Sequence, residues 1–581
     1  MSEGAVSAGA LKGHAAVAAA GAPDRAWVRR GKPVLLFALL MLGYMLSFSF
    51  DENDALDTAY WMEKGDIRSL LEFRHLVQRM LPLWLWQGLN AAGLHVPALT
   101  LLNLWDFATA AASVMLLYTI LHLLTGSRPI SFGATFAYAT AHCVWLYTGS
   151  GRLYSTSMFL IFAAFYLALK LADERSEARR WMLALGASTY VCFAGLFWLV
   201  HVFSGISVGL ILLLLATQVS WMRRFAYVAA FGAFGLFLTL AITVSCLLYV
   251  QIPLEAEAIR QWMAAAGTQP MRFDALSPMK ASFGHAHGIM AMYPLPYLIN
   301  GLMLKDPHLA QIGSLPWELS KFALVWALLT LVYVYPLWLF WKGDRQRRIL
   351  IALLYLPLAI NMYFALGWLG SDVQRFMPTM LSQFALAALS VQHLLARARH
   401  PRPLRLGLAA CLGFIAAVNL AESLLPSQRN HMELAAAMRS IRPFTRPADL
   451  MINFGRDLPI SYQTMTRYYG GAMFLTATND APTYDWDRAD WQQNLERLRL
   501  ETEARGGRLL VMDRLALGLN PVSAAWSERL HPNPTVRQFA AYLRTRYCVI
   551  PAFFVGRHRY YHVAARDGAC PAHALPEEPT P

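Results

Sequence analysis

Residues 33–57 read PVLLFALLMLGYMLSFSFDENDALD. An uncharged apolar run from Pro33 to Phe50 stops abruptly at Asp51, Glu52, Asp54 and Asp57. A run of this length approaches what a helix needs to cross a bilayer. Lys12, Arg25, Arg29, Arg30 and Lys32 precede it, and Ser47-Phe48-Ser49-Phe50 offers no Ala-x-Ala cleavage site. The segment reads as a retained first membrane helix with the N-terminus inside, and the acidic stretch as the start of the first outer loop.

The rest of the chain repeats this pattern. Of 581 residues, 56% are hydrophobic and 15% charged, against roughly 45–50% and about 25% in soluble domains. That excludes a disordered chain, a collagen, a coiled coil and an ordinary cytosolic enzyme. Further apolar runs lie at about 97–124, 130–147, 154–172, 181–200, 202–221, 225–250, 318–341, 349–369, 376–396 and 406–425. Together they predict a polytopic α-helical membrane protein of about 11 transmembrane helices. The net charge of +14 is not a nucleic-acid footprint. Its cations crowd alternate loops: Arg128; Lys170, Arg175, Arg179 and Arg180; Arg223 and Arg224; Lys342, Arg345, Arg347 and Arg348; Arg397, Arg399, Arg402 and Arg405. Those loops are then cytoplasmic. Residues 1–32 form a cytoplasmic tail, 33–425 the membrane domain with outer loops 51–96 and 251–317, and 426–581 an extracytoplasmic domain.

The C-terminal domain reads as α/β. Strand-like segments lie at Leu450–Phe454, Arg508–Met512, Tyr547–Ile550 and Tyr560–Val563, with helical spacing from Trp491 to Arg505. Cys143, Cys192, Cys246 and Cys411 fall in or beside membrane helices and read as packing residues. Cys548 and Cys570 fall in the tail, where an oxidising compartment would allow a disulfide. There is no C-x-x-C pair, no Walker loop and no G-x-S-x-G elbow. Glu577 to Pro581 is Pro/Glu-rich and reads as disordered.

Carboxylates at a membrane boundary admit two readings: a solvated interfacial turn, or a group facing a cavity where a lipid headgroup meets an acceptor. In the second, a carboxylate takes a proton from an attacking hydroxyl or amine. The same oxygens could hold a divalent cation. The loop then turns amphipathic: Arg74, His75 and Arg79 are mixed with Leu, Trp84 and Trp86. Trp with Arg suits the headgroup layer, and Arg74, His75 or Arg79 could touch a phosphate.

The order of features now matters: a membrane helix, Asp51-Glu52, then Ala59 and Gly65-Asp66, then Leu81-Pro82-Leu83-Trp84-Leu85-Trp86 leading into the next helix. It resembles the polyprenyl-phosphate-sugar-dependent glycosyltransferases of the GT-C superfamily, which include protein O-mannosyltransferases and lipid A aminoarabinose transferases. A second stretch, Gly370-Ser371-Asp372-Val373-Gln374-Arg375-Phe376-Met377-Pro378, resembles the family's R-Y/F-x-x-P element but is one residue shorter between Phe376 and Pro378. The resemblance implies that Asp51 is the catalytic base, with Glu52 in the second motif position and Asp54 a nearby substitute. It implies that Arg375 faces the lipid-linked phosphate, although an Arg375–Asp372 surface pair is the plainer alternative. The family's basic-Pro-Pro element is absent, and Arg79-Met80-Leu81-Pro82 stands nearest to it.

Weaker candidates remain. His285 and His287 stand at i, i+2, a spacing that could bind a metal from an extended chain, an acceptor or a phosphate. Arg152, in Gly149-Ser150-Gly151-Arg152, could line the same cavity or anchor at the interface. Asp106 lies inside the second helix, where a carboxylate suggests function, but a helix-start position near the outer surface accounts for it equally well. The expected activity is inverting hexosyl or pentosyl transfer from a polyprenyl-phosphate sugar to a glycan, lipid or protein acceptor. The expected place is the outer face of a bacterial inner membrane, with membrane lipids as further partners. The competing class is a transporter or flippase of a lipid-linked or small solute. That class predicts mid-membrane charges and repeated broken helices. Topology is directly testable. Cysteines introduced at Ser69 and Ser427 should react with an impermeant thiol reagent in intact spheroplasts, and one at Ser176 should not. Labelling at Ser176 with protection at Ser69 would reverse the orientation.

Overall fold

A computed structural model describes residues 26–50, 53–71, 75–265, 273, 275–292, 315–367, 373–454, 465–477, 491–518, 536–555 and 558–575. The chain divides into two compact units: residues 1–49 with 66–426, and residues 50–65 with 427–581.

The first unit is helical because peptide groups in a hydrocarbon layer must be satisfied within the chain. Every apolar run named above carries helix. Among the described residues, eight helices are long and apolar enough to cross a membrane, and Pro33–Leu46 and Leu199–Leu214 are shorter apolar helices. Local chemistry sets the ends. Ala98–Thr125 stops at Gly126, whose φ of +65° suits glycine and whose N–H donates to the His122 carbonyl at 2.8 Å. Pro129 then sits in the first turn of Arg128–Thr140.

The run at 202–221 is helical only over Val202–Leu214, and three further runs depart from the uninterrupted helices expected. The run at 130–147 breaks at Ala141 into Arg128–Thr140 and His142–Tyr147. The run at 318–341 breaks at Val334, just before Pro336. The last run continues past residue 425 as Pro401–Val418, a π-turn at Asn419–Leu424, and Leu425–Ile441. The loop 251–317 holds the helices Ala256–Ala265 and Ser277–Ile289. Ser277–Ile289 is packed into the unit through Phe283, His285 and Ala286.

The second unit is a mixed sheet flanked by helices. Its strands are β1 (Leu450–Phe454), β2 (Met473–Ala477), β3 (Leu509–Met512), β4 (Cys548–Val555) and β5 (His558–Ala564). The order is β2-β1-β3-β5-β4, with β1 parallel to β2 and β3 and β5 antiparallel to β3 and β4. Leu495 of helix Trp491–Ala504 and Phe539 and Leu543 of helix Val536–Arg546 pack on Leu509, Val511, Val549 and Val563. Cys548 and Cys570 are bonded, with Cα atoms 5.4 Å apart and a sequence separation of 22. A closed loop of that size adds about 3 kcal/mol by restricting the unfolded chain. Residues 577–581 lie outside the described residues.

One ionic network on this unit predicts a pH response. Arg499 bonds Glu496 at 2.7 Å and Glu503 at 2.6 Å, and the Tyr547 hydroxyl donates to Glu496 at 2.6 Å. The Arg499 hydrogen bond, then that of Tyr547, holds Glu496 down at about 2 against an ordinary 4.5. This stabilisation is complete above pH 4.5 and is lost as the pH falls through about 2. Protection factors in helix Trp491–Ala504, corrected for the intrinsic exchange rate, should therefore fall across that window, and Glu496→Gln should flatten the response. The effect is small because Glu496 is partly exposed. Identical pH profiles for the two proteins would refute the assignment.

Candidate active site on the loop face of the membrane unit

Residues 373–379 form a 3-10 segment ahead of helix Met380–Arg397. Phe376 and Thr379 are fully buried, and the Thr379 hydroxyl closes the turn on the Phe376 carbonyl at 2.6 Å. This anchors the element and leaves Arg375 half-buried between Gln374 and Phe376. Gln374 is buried, and its Oε1 accepts from Arg152 Nη1 at 3.0 Å and from the Tyr154 hydroxyl at 2.7 Å. One neutral oxygen thus joins the neighbour of Arg375 to two residues more than two hundred positions earlier.

The turn carrying Arg152 is built for close approach. Gly149 and Gly151 have φ of +80° and +74°. A Cβ on Gly149 would lie 1.9 Å from the Phe107 ring, so only glycine fits. The Gly149 N–H donates to the fully buried Asp106 carboxylate at 3.1 Å. Leu153 follows at φ +60°, a left-handed conformation costly for a branched side chain, and leads into helix Tyr154–Asp173. Asp106 thereby holds the turn, and the Arg152 guanidinium lies 4.9 Å from the centroid of the Tyr154 ring.

The first loop completes the cluster. His75 Nδ1 lies 2.9 Å from the Phe197 carbonyl, and the Val77 N–H donates to the Leu196 carbonyl at 3.3 Å. The Gln78 side-chain amide donates to the Arg152 carbonyl. Arg79 stands at the start of Met80–Ala91, which buries Met80, Pro82 and Leu83 and exposes Trp84 and Leu85. That division suits an interfacial helix. The Trp198 ring lies tilted over Tyr154, with centroids 4.4 Å apart, and packs edge-on against His201.

Of the residues singled out in the sequence, Arg152, His75, Arg79 and Arg375 belong to segments that converge here. Asp51, Glu52, Arg74 and Asp372 lie outside the described residues. Asp54 stands in the first turn of helix Asn53–Lys64 of the second unit. The expectation that His285 and His287 extend from one strand-like chain is corrected, because both sit on helix Ser277–Ile289. At i, i+2 on a helix their rings diverge. His285 Nε2 meets the Tyr333 hydroxyl at 2.7 Å, whereas His287 stacks on His142 with ring centroids 4.7 Å apart. Burial pushes both imidazoles below the ordinary histidine value. Among the described residues, no three His, Cys, Asp or Glu side chains are grouped to hold a metal.

Gln78, Gln374 and Tyr154 have no charge to draw attention in a sequence, and only adjacency to Arg79 and Arg375 pointed towards the two glutamines. A second polar cluster also escaped notice. Lys321 is buried and bonds Glu318 and Glu422, each at 2.7 Å, and the Ala291 carbonyl at 2.9 Å. Its signal was available, as Glu318 and Lys321 interrupt an apolar run at i, i+3 spacing.

No protein-family model and no curated protein matches this sequence. Solved structures do. ArnT from Cupriavidus metallidurans bound to undecaprenyl phosphate aligns at 12% identity over 92% of this chain and 98% of its own, with a TM-score of 0.52. The same protein in the apo state aligns at 11% identity over the same shares, again at 0.52. The chain has the GT-C fold. An Archaeoglobus fulgidus oligosaccharyltransferase in complex with zinc and sulfate aligns at 10% identity over 93% of this chain and 74% of its own, with a TM-score of 0.47. The resemblance expected from two short motifs is thus found, at the level of fold, over nearly the whole GT-C-like chain.

The shared acceptor is open to test. Gln374→Leu removes the oxygen that Arg152 and Tyr154 both use, so thermal unfolding in detergent should show a loss of about 1–3 kcal/mol. Gln374→Glu keeps an acceptor and should recover most of that loss. A leucine variant as stable as wild type would remove Gln374 from the centre of the cluster.

Proposed function

We propose that this protein is an integral-membrane glycosyltransferase that moves a sugar from a polyprenyl-phosphate donor to a hydroxyl or amine acceptor at the non-cytoplasmic membrane surface. The observation that carries the reading is the convergence of Arg152, the Arg375 element and the Gln78–Arg79 segment at one end of a bundle with the GT-C fold. Guanidinium groups suit phosphate oxygens, which they can hold bidentately. The ArnT structure of that fold is bound to undecaprenyl phosphate, and a lipid carrier of this class is the donor proposed here. Outside the cytoplasm no nucleotide sugar is available, and a lipid carrier supplies the activated sugar instead.

The chemistry is a single inverting displacement. The acceptor oxygen or nitrogen bonds to the anomeric carbon as the bond from that carbon to the phosphate oxygen breaks. Asp51 takes the acceptor's proton. The polyprenyl phosphate leaves with one more negative charge, which Arg375, helped by Arg152 and Arg79, stabilises. Glu52 and Asp54 stand beside the base in sequence as the groups that would tune or replace it. The sequence motif supports these roles, and the acceptor and the sugar are left general.

Turnover of a radiolabelled polyprenyl-phosphate sugar tests the roles. Asp51→Asn should lower it by at least about 10²-fold, the lower range for a positioned base. Arg375→Ala should weaken donor use, and Arg375→Lys should restore only part, because ammonium lacks the bidentate fork. Asp57→Asn should cost far less, since Asp57 bonds Arg467 at 2.5 Å within the second unit. Wild-type turnover in Asp51→Asn would remove Asp51 as the base.

A further inference from the structure

Helix Asn53–Lys64 has 12 residues, a length at which a helix is marginal by itself in water. It continues the acidic motif: Asp51 and Glu52 precede it directly in sequence, and Asp54 stands in its first turn. Its apolar face, Ala55, Leu56, Ala59 and Met62, is buried. Apolar burial attracts without direction, so it does not by itself set the rotation and register of the helix. The directional contacts come from far along the chain. Arg467 Nη1 bonds Asp57 Oδ1 at 2.5 Å, across a sequence separation of 410. The same guanidinium lies 5.6 Å from the centroid of the Tyr60 ring and 5.8 Å from that of Trp61. Trp61 Nε1 donates to the other Asp57 oxygen at 3.2 Å, and the Tyr468 hydroxyl donates to Glu63 at 2.9 Å.

The segment that carries Arg467 is itself firmly held. It is the π-turn Thr466–Gly470, an irregularity frequent at functional sites. The Arg439 guanidinium lies 4.5 Å from the centroid of the Tyr469 ring, and the Gly470 carbonyl accepts from the Thr445 hydroxyl at 2.5 Å. A Cβ on Gly470 would come within 2.9 Å of Ile441 Cδ1, so the turn packs closely on helix Leu425–Ile441. A fixed turn of the C-terminal domain thus grips the helix that follows the acidic motif. We propose that Arg467 is a positioning residue for the transfer reaction, an inference that rests on the glycosyltransferase reading above. Through Asp57, Tyr60 and Trp61 it sets the register of helix Asn53–Lys64, and with it the place of the motif that supplies the base. A base works only within hydrogen-bond reach of the proton it takes, and a misplacement of about 1 Å can cost about 10²-fold. The C-terminal domain then takes part in turnover with no need to touch the substrate.

Steady-state kinetics of detergent-purified full-length protein test this. The donor is whichever of a panel of radiolabelled undecaprenyl-phosphate sugars wild type uses, and membranes of a host strain lacking the gene supply the acceptor. Arg467→Ala should lower kcat about ten- to hundredfold, while KM for the donor and binding of undecaprenyl phosphate stay within about twofold. Arg467→Lys keeps a cation for Asp57 and the two rings but loses the planar fork. It should recover part of kcat, and it carries the test if the alanine variant does not fold. Asp57→Asn keeps an oxygen for Arg467 and both rings, and should cost less than either. In an Asp51→Asn background the further loss from the Arg467 substitution should shrink to within about twofold, because a residue that acts through the base then has nothing left to place. A role confined to stability would cost the same factor in both backgrounds. That result, or wild-type kcat in the folded variant, would overturn the assignment, and so would a loss carried by KM and lipid binding. If wild type uses no donor of the panel, the glycosyltransferase reading fails and this inference with it.

Discussion

No water is available in a hydrocarbon layer to satisfy a peptide group left open where a helix breaks, and each such group costs several kcal/mol if unpaired. The membrane unit is organised around this constraint. Asn419 shows it best. Its side-chain amide donates to the Thr140 carbonyl at 2.7 Å, where one helix breaks, and to the Ile289 carbonyl at 2.9 Å, where another ends. Its Oδ1 accepts from the Ala291 N–H at 2.6 Å. The π-turn Asn419–Leu424 bulges the last helix at this point, the kind of local irregularity that often marks a functional or strained position. Lys321 takes the Ala291 carbonyl, and His142 bridges the His287 carbonyl and the Ser423 hydroxyl. The packed helix Ser277–Ile289 is thereby fastened, and its His285 supports Phe376 with ring centroids 5.0 Å apart.

Two polar clusters in this unit solve different problems. At Lys321, opposite charges compensate one another. Desolvating Lys321 and Glu318 is costly, and a buried pair of this kind is better evidence for a specified arrangement than for added stability. Glu422, 37% exposed, brings a second carboxylate to the same ammonium. At Gln374 the shared acceptor is neutral. A neutral amide orients Arg152 without itself bringing a negative charge to it. The left-handed Leu153 and the glycine turn beneath it suggest that backbone comfort is sacrificed locally to place that guanidinium.

The helix Asn53–Lys64 follows the first membrane helix in sequence but folds with the second unit. Ala55, Leu56, Ala59 and Met62 are buried along one face, the i, i+3, i+4 pattern of an amphipathic helix. Arg467 bonds Asp57 and lies over the rings of Tyr60 and Trp61. Tyr468 donates to Glu63 at 2.9 Å. The segment that follows the acidic motif is therefore secured by the C-terminal domain, which gives that domain a structural task whatever else it does.

Much was legible from the sequence alone. Uncharged runs of bilayer length located the membrane helices, because burial in lipid depends on composition over a short window. Short apolar segments located four of the five strands, and helical spacing located the helix at Trp491–Ala504. The strand Met473–Ala477 was not singled out in the sequence, and it is recognised through its parallel pairing with Leu450–Phe454. The Asp51-Glu52 and Arg375 motifs point to the fold from sequence alone. Tertiary structure alone decided which polar groups meet. Arg152 and Gln374 are 222 residues apart, and Asp57 and Arg467 are 410 apart. Nor could spacing reveal that Ala141 breaks a helix or that His285 and His287 point apart. Hydropathy is a local, one-dimensional property, whereas the partner of a buried donor is chosen by whichever distant side chain the packed helices bring within about 3 Å.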